Sequence, residues 1–314
     1  STTASNPAVS RYDPVELQKL IEQIYLLPAV VKTGEFSEAD IIKTAECLIE
    51  FQRLRESMGL PKGDICLPMV NAALWHALYN ETICQKTPGL ISHVQNPSNE
   101  FFTAASAVGR LDYSLNEMGL ANPFPFSKKD LAVGESVTWA NISADEVFMS
   151  NQKLLRHMQV PMWVGQAYIA VGACGKTVVI NIANAPYINN KNAKRLEDQY
   201  AIYPGNGQVI MEGDGTWREG GGYTKDRYPY IRELGDVCGQ PVTLAWLKTS
   251  PVGVLEGIQT DVEGTSLYRL DGENWIKVNA LVICQETMNG TTGCLDAVTV
   301  FPKDKKLETG SYKV

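Results

Sequence analysis

The chain has little histidine, no paired cysteine motif, no excess of basic charge and no long apolar run, and each shortage removes a class of function. Three histidines (His76, His93 and His157) in 314 residues leave few members for Cys–His or Ser–His catalysis. Neither His nor Cys falls at metal-ligand spacing, so no metal site is read from the sequence, and no cofactor either. Seven cysteines are scattered from Cys47 to Cys294 without C-x-x-C. Most lie in apolar surroundings, where a free Cys acts as a small hydrophobe, and a reducing compartment is expected. Lys+Arg 28 against Asp+Glu 35 gives a formal charge of -7 and a pI near 5.2. No basic surface of the kind that neutralises a phosphate backbone is then available, which disfavours nucleic acid as a direct ligand. The longest apolar runs, such as 26–31 and 163–171, fall short of the roughly 18 residues a membrane span requires. The first ten residues carry neither the basic nor the apolar part of a signal peptide. Secretion is therefore unsupported, and the Asn-x-Ser/Thr triplets at Asn80, Asn141 and Asn289 read as chance. The expected location is a virion or the cytoplasm.

What is present suits a folded globular chain: 44% hydrophobic and 20% charged residues suffice for a large core. The first 160 residues read as punctuated helices. Asp13-Pro14-Val15-Glu16 supplies an N-cap, a proline at the first helical position and a capping-box glutamate, and Leu17, Leu20, Ile21 and Ile24 form one stripe. This helix is expected to stop at Pro28. Ser37-Glu38-Ala39-Asp40 caps a second, with core face Ile41, Ala45, Leu48, Ile49 and Leu54. A third is expected over 67–79. A fourth opens at Asn99 and stops at Gly119, and Ser143-Ala144-Asp145-Glu146 opens another.

After Pro161 the pattern changes to period two and to β-branched and aromatic residues, over 163–171, 177–182, 242–247 and 265–270, with turn residues between them. Strands joined by short turns predict an antiparallel meander rather than a doubly wound sheet. The fold class expected is α+β, a helical N-terminal half followed by a mainly antiparallel β-rich half. Its expected organisation is a helical domain over 1–125, a connecting segment with one helix over 126–160, and a β-rich domain over 161–314. Cys284 and Cys294 bracket a turn over 286–293 and predict adjacent antiparallel strands with reduced thiols.

Several motifs have plain structural readings. Residues 170–177 match a loosened phosphate-binding loop, but a strand-like Val178-Val179-Ile180 follows where a helix is needed, so a hairpin turn is expected. Cys66 precedes an apolar helix and His76 lies ten residues on, about 15 Å along it, too far for a nucleophile–base pair. Ser150 and Lys153 stand at Ser-x-x-Lys spacing with Lys32-Thr33-Gly34 elsewhere, in an order opposite to that of penicillin-recognising enzymes.

The segment over 200–230 is the most distinctive. It holds Tyr203, Trp217, Arg218, Tyr223, Tyr228 and Tyr230 among glycines, with carboxylates at Glu212, Asp214 and Glu219. Read as one long loop, it suits either a subunit interface or a sugar-binding cleft. In the cleft the aromatics stack on rings, and two carboxylates act as acid and base or nucleophile. The leading expectation is a non-enzymatic structural protein whose partner is itself, forming a homo-oligomeric particle such as a viral capsid. The alternative is a carbohydrate-active enzyme or lectin.

Overall fold

The computed structural model describes residues 11–57, 61–147, 166–184, 200–203, 208–211, 229–232, 242–248, 256–259, 268–288, 294–302 and 310–313. The architecture is α+β, helices first and antiparallel strands after.

Helix α1 (Pro14–Tyr25) starts where Asp13 Oδ1 accepts from the backbone N–H of Val15 and Glu16 at 3.0 and 2.8 Å. Pro28 does more than end this helix. It occupies the first turn of α2 (Pro28–Thr33), where its missing N–H costs nothing, and Gly34 closes α2 at φ +65°. Helix α3 (Glu38–Ser57) has the expected box, with Ser37 N–H to Asp40 Oδ2 at 2.9 Å and Asp40 N–H to Ser37 Oγ at 3.1 Å. Helix α4 (Leu67–Lys86) runs two turns beyond its expected end, and fifteen of its twenty residues are buried. A helix enclosed on every side has no polar stripe to mark its extent. Helix α5 (Ala107–Glu117) begins at the N-cap Ser106 rather than at Asn99. The Asn99 side chain instead accepts from Phe101 N–H in a local turn, a backbone alternative to helix that Asn favours. The Ser143 signal opens a 3-10 turn over Ala144–Glu146, and the rest of that expected helix lies outside the described residues.

Four strands form a sheet in the order β1-β3-β4-β2: β1 (Asp64–Ile65), β2 (Ala132–Trp139), β3 (Tyr168–Cys174) and β4 (Thr177–Asn184). Only β1–β3 is parallel, and β3–β4 is a tight hairpin with Cys174 opposite Thr177. The phosphate-loop look-alike is this turn, with Gly175 at φ +57°. Helix α4 crosses one face so closely that a Cβ on Gly172 would lie 2.3 Å from the carbonyl carbon of Ala73. Beyond β1, α3 lines the edge of β3: Thr44 Oγ1 accepts from Ala173 N–H at 3.0 Å, and Asp40 Oδ1 from Gly175 N–H at 2.8 Å. One hydrophobic core joins Leu20, Leu48, Leu74, Leu115, Val147, Ile169 and Ile182. It therefore runs from α1 to β4, and β2 stands inside the segment expected as a connection.

Two further sheets follow. One has the order β5-β8-β13-β12-β9, from β5 (Tyr200–Tyr203), β8 (Val242–Lys248), β9 (Glu256–Gln259), β12 (Ala280–Met288) and β13 (Cys294–Pro302). The other has the order β11-β10-β14-β7-β6, from β6 (Gln208–Met211), β7 (Pro229–Arg232), β10 (Tyr268–Asp271), β11 (Asn274–Lys277) and β14 (Gly310–Lys313). Every pair in both is antiparallel. Strands β12 and β13 are adjacent as expected, but they extend into the expected turn, to Met288 opposite Cys294. Cys284 lies opposite Val298, four pairs away. That separates the two cysteines by about 13 Å along the strands, well beyond the roughly 7 Å limit for a disulfide.

Candidate functional site

Helix α4 carries polar residues within an apolar sequence, and each meets a partner from another element. On β2, alternation turns Glu135, Val137 and Trp139 toward α4: Val137 packs with Ala73, Ala77 and Leu78, and Trp139 Nε1 donates to Glu81 at 3.1 Å. The consequence for Glu135 is a carboxylate enclosed between α4, α5 and the sheet.

Four donors converge on it. Oε1 accepts from His93 Nδ1 at 3.0 Å and from His76 Nε2 at 3.3 Å; Oε2 accepts from Arg110 Nη2 at 2.7 Å and Asn181 Nδ2 at 3.1 Å. A carboxylate offers about four lone-pair sites, so this one is saturated. Burial alone pushes the Glu135 carboxyl up, yet His76, Arg110 and the hydrogen bonds outweigh it and hold the group well below the usual carboxylate range. Arg110, 2% exposed, also donates Nη1 to the carbonyls of His93 and Ala105 at 3.0 and 2.9 Å.

The network fixes the tautomer of His76. Gln95 Oε1 accepts from the N–H of Thr103 at 2.8 Å and from its hydroxyl at 3.2 Å, so the Gln95 Nε2 faces His76 Nδ1 as a donor at 3.1 Å. His76 Nδ1 is then an acceptor, and its proton sits on Nε2, facing Glu135. Asn80 Nδ2 uses its two hydrogens on the carbonyls of His76 and Ser92 at 3.1 and 3.2 Å, so its 3.2 Å approach to His76 Nε2 is a contact rather than a bond. Burial holds the His76 imidazole below its ordinary value, with Glu135 opposing and Arg110 reinforcing. The Tyr79 ring stacks on it at 5.9 Å.

Two other buried carboxylates line α4. Glu81 Oε2 accepts from Trp139 Nε1, Lys176 N–H at 3.2 Å and Thr177 Oγ1 at 2.8 Å. Glu117 accepts from Asn71 Nδ2, Trp75 Nε1 and Lys32 Nζ at 2.9, 3.0 and 2.9 Å. Both hold elements together.

The pocket beside Glu135 and Arg110 is walled by Met69, Ala72, Leu111 and Val133 and measures about 10 Å³. That is room for about one water and far below a ligand cavity of roughly 300 Å³. With its lone pairs filled, Glu135 is set up as an anchor, not a base. Among the described residues no three of His, Cys, Asp and Glu are arranged to hold a metal, and the guanidinium on Glu135 repels a cation.

Of the residues expected from sequence, Tyr203 lies in β5 and Tyr230 in β7, in different sheets. The 200–230 stretch is thus not one loop but holds β5, β6 and the start of β7, because its Ile- and Val-bearing pieces pair as strands. Trp217, Arg218, Tyr223, Tyr228, Glu212, Asp214 and Glu219 lie outside the described residues, as do Ser150, Lys153 and His157. Cys66, at the N-cap of α4, is buried, and burial pushes its thiol up to about 11, against thiolate chemistry at neutral pH. Lys32-Thr33-Gly34 is a helix end, with Thr33 Oγ1 bonded to Ala29 O at 2.6 Å. The Asn80 amide is buried and bonded on both sides, accepting from Ser92 N–H at 2.8 Å, so this triplet is closed to glycan in the fold. The Glu135 cluster was missed by sequence reasoning. Its signal was the polar set Asn71, His76, Asn80 and Glu81 inside an apolar helix, since buried polar residues need partners.

Comparison with family models, with curated proteins and with solved structures gives no match. Among the described residues no helix is long and apolar enough to cross a membrane.

Proposed function

We propose that the chain is a structural subunit that assembles with copies of itself into a homo-oligomeric particle, such as the shell of a virion. The observation that supports it is an apolar corner. Of nine large apolar side chains exposed among the described residues, three (Tyr25, Leu26 and Val31) lie at the junction of α1 and α2, with Leu26 78% and Val31 66% exposed. Exposed apolar residues scattered singly mean little, whereas their concentration marks contact surfaces. The Lys32–Glu117 ion pair draws α2 beside α5, where Tyr113, one turn before Glu117, is also exposed. An aromatic beside aliphatics is the composition of an interface core. Light scattering and native mass measurement over a concentration series test the reading. Oligomers are expected, and Leu26→Lys combined with Val31→Lys is expected to give monomers with an unchanged circular dichroism spectrum. A monodisperse monomer at high concentration overturns the reading.

A second reading, a lectin or glycoside-hydrolysing site, draws on the pairing of β6 with β7. Met211 stands opposite Pro229, so Glu212, Asp214, Trp217, Arg218, Glu219, Tyr223 and Tyr228 all belong to one connection whose ends are held together. Acid groups and aromatics gathered on one connection are what sugar recognition uses. Glycan-array binding lost in Trp217→Ala supports this reading, and hydrolysis lost in Glu212→Gln, Asp214→Asn or Glu219→Gln extends it to catalysis. Absence of both binding and hydrolysis removes it.

A further inference from the structure

We propose that the segment over 87–106 is an acid-sensitive latch: a second proton on His76 removes the acceptor that holds Gln95, and the segment leaves α4 while the rest of the N-terminal body stays folded.

The geometry is that of a part held by polar bonds rather than by burial. Gln95 is the one fully buried residue between 87 and 106; Leu90 and Val94 are exposed, and Ile91 and Phe101 only partly covered. The remaining ties are hydrogen bonds. Ser92 pairs with the Asn80 amide through both its N–H and its carbonyl, Asn96 N–H donates to Tyr79 Oη at 2.8 Å, Arg110 Nη1 donates to the carbonyls of His93 and Ala105, and His93 meets Glu135. Segments with few buried apolar contacts open locally at low free-energy cost.

His76 is the point at which a proton acts. Its Nδ1 lone pair is filled by the Gln95 amide, whose orientation Thr103 fixes. An imidazolium would set N–H against N–H2 inside a buried site, a lost bond and an unsatisfied donor together. The charged groups facing His76 do not reverse this. Glu135 on β2 attracts the proton, but its charge is already met by Arg110 of α5 at 2.7 Å. Arg110 repels the proton, Tyr79 on the same helix is neutral, and Asn181 of β4 donates to Glu135 without charge. Positive charge on His93 favours its bond to Glu135 and hence the closed state, so His93 is not the trigger. Once the segment leaves, the burial that holds the His76 ring below its ordinary value is relieved, and the ring takes a proton from solvent more readily than in the closed form. A group protonated only in the open form raises the open population by at most about tenfold between pH 7.5 and 5.5, and positive charge on His93 offsets part of that rise.

Hydrogen exchange of the full chain, corrected for intrinsic rates, tests the latch. Protection of amides over 90–106 is expected to fall several-fold, and by no more than about tenfold, from pH 7.5 to 5.5 while α4 keeps its protection. In His76→Gln, which retains a donor toward Glu135 and an acceptor toward Gln95, the fall is expected to disappear; His93→Gln is expected to keep it. Gln95→Glu gives Nδ1–H an acceptor and is expected to reverse it, which keeps the test open if His76→Gln does not fold. Nitrogen chemical shifts of His76 should report the Nε2–H tautomer at pH 7.5. Equal protection at the two pH values, the same fall in Gln95→Glu as in wild type, or loss of α4 protection in parallel with the segment overturns the latch.

Discussion

Glu81 and Glu135 are two carboxylates at the same helix–sheet interface, and they are satisfied in opposite ways. Glu81 takes three neutral donors, an indole N–H, a hydroxyl and a backbone N–H. They come from the rim of the β3–β4 hairpin and from the end of β2. Glu135 takes an arginine and two imidazoles, from α5, from α4 and from a segment that buries little. Neutral donors hold at any pH near neutrality. Titratable ones make the attachment conditional, and conditional attachment sits where the least apolar surface is covered.

Replacing Glu135 separates the two most sharply. Glu135→Ala leaves Arg110, 2% exposed, buried without a countercharge, a loss of about 3–5 kcal/mol readable by urea denaturation. A loss below about 1 kcal/mol would mean that water reaches the guanidinium and that the cluster is not buried in solution. Between the two carboxylates α4 touches β3 at Gly172, where a Cβ would lie 2.3 Å from the Ala73 carbonyl carbon and 2.4 Å from Leu74 N. Gly172→Ala is therefore expected to cost about 3 kcal/mol and to weaken both attachments, measurable as lost amide protection along α4. Glu81→Ala strands an indole, a hydroxyl and a backbone donor and should cost about 2 kcal/mol, by the same amount at pH 5.5 and 7.5. A pH-dependent cost there breaks the comparison.

The pH dependence of the whole fold follows from the two shifted groups. The folded His76 lies below its ordinary 6.5, so the unfolded chain binds the extra proton and stability falls as pH drops below about 6.5. From this ring alone the loss approaches about 1.4 kcal/mol between pH 7.5 and 5.5. The folded Glu135 lies below its ordinary 4.5, so its contribution is present above that value and is lost as pH falls further. Chemical denaturation at pH 7.5, 5.5 and 4 should show both stages, the first missing in His76→Gln. The smallest effect is expected on the same strand, one residue on. Ser136 Oγ is buried with no hydrogen-bond partner, so Ser136→Ala should change stability by less than about 0.5 kcal/mol or raise it slightly. A cost above about 1 kcal/mol in thermal melts would reveal a bound water at that hydroxyl.

Much of the fold was legible locally. Asp13-Pro14 and Ser37–Asp40 start helices because their side chains satisfy backbone donors within three residues, and the Gly175-Lys176 turn was recognisable from the strand after it. The missed start of α5 has a distant cause: Asn99 suits a turn as well as a cap, and the segment before Ser106 is held in place by Gln95, eight residues from its partner Thr103. Likewise α4 outran its expected end because Asn80 and Glu81 look like a polar helix terminus until Ser92, Trp139 and Thr177 are placed against them. The aromatic Gly-rich stretch reads as one loop because its glycines outweigh three four-residue strands, of which β5 pairs with the distant β8 and β6 with β7 across a long connection.

By itself the sequence determined the class of the fold and the order of its parts, since capping, proline placement and hydrophobic period act over a few residues. The tertiary structure alone decided which of those parts share a core and which carboxylate meets the histidines. His76, His93, Arg110 and Glu135 are separated by 17 to 59 positions along the chain, and no local periodicity encodes a contact across such spans. Their convergence depends on α4 lying against the sheet at Gly172, a close packing that only the assembled core enforces.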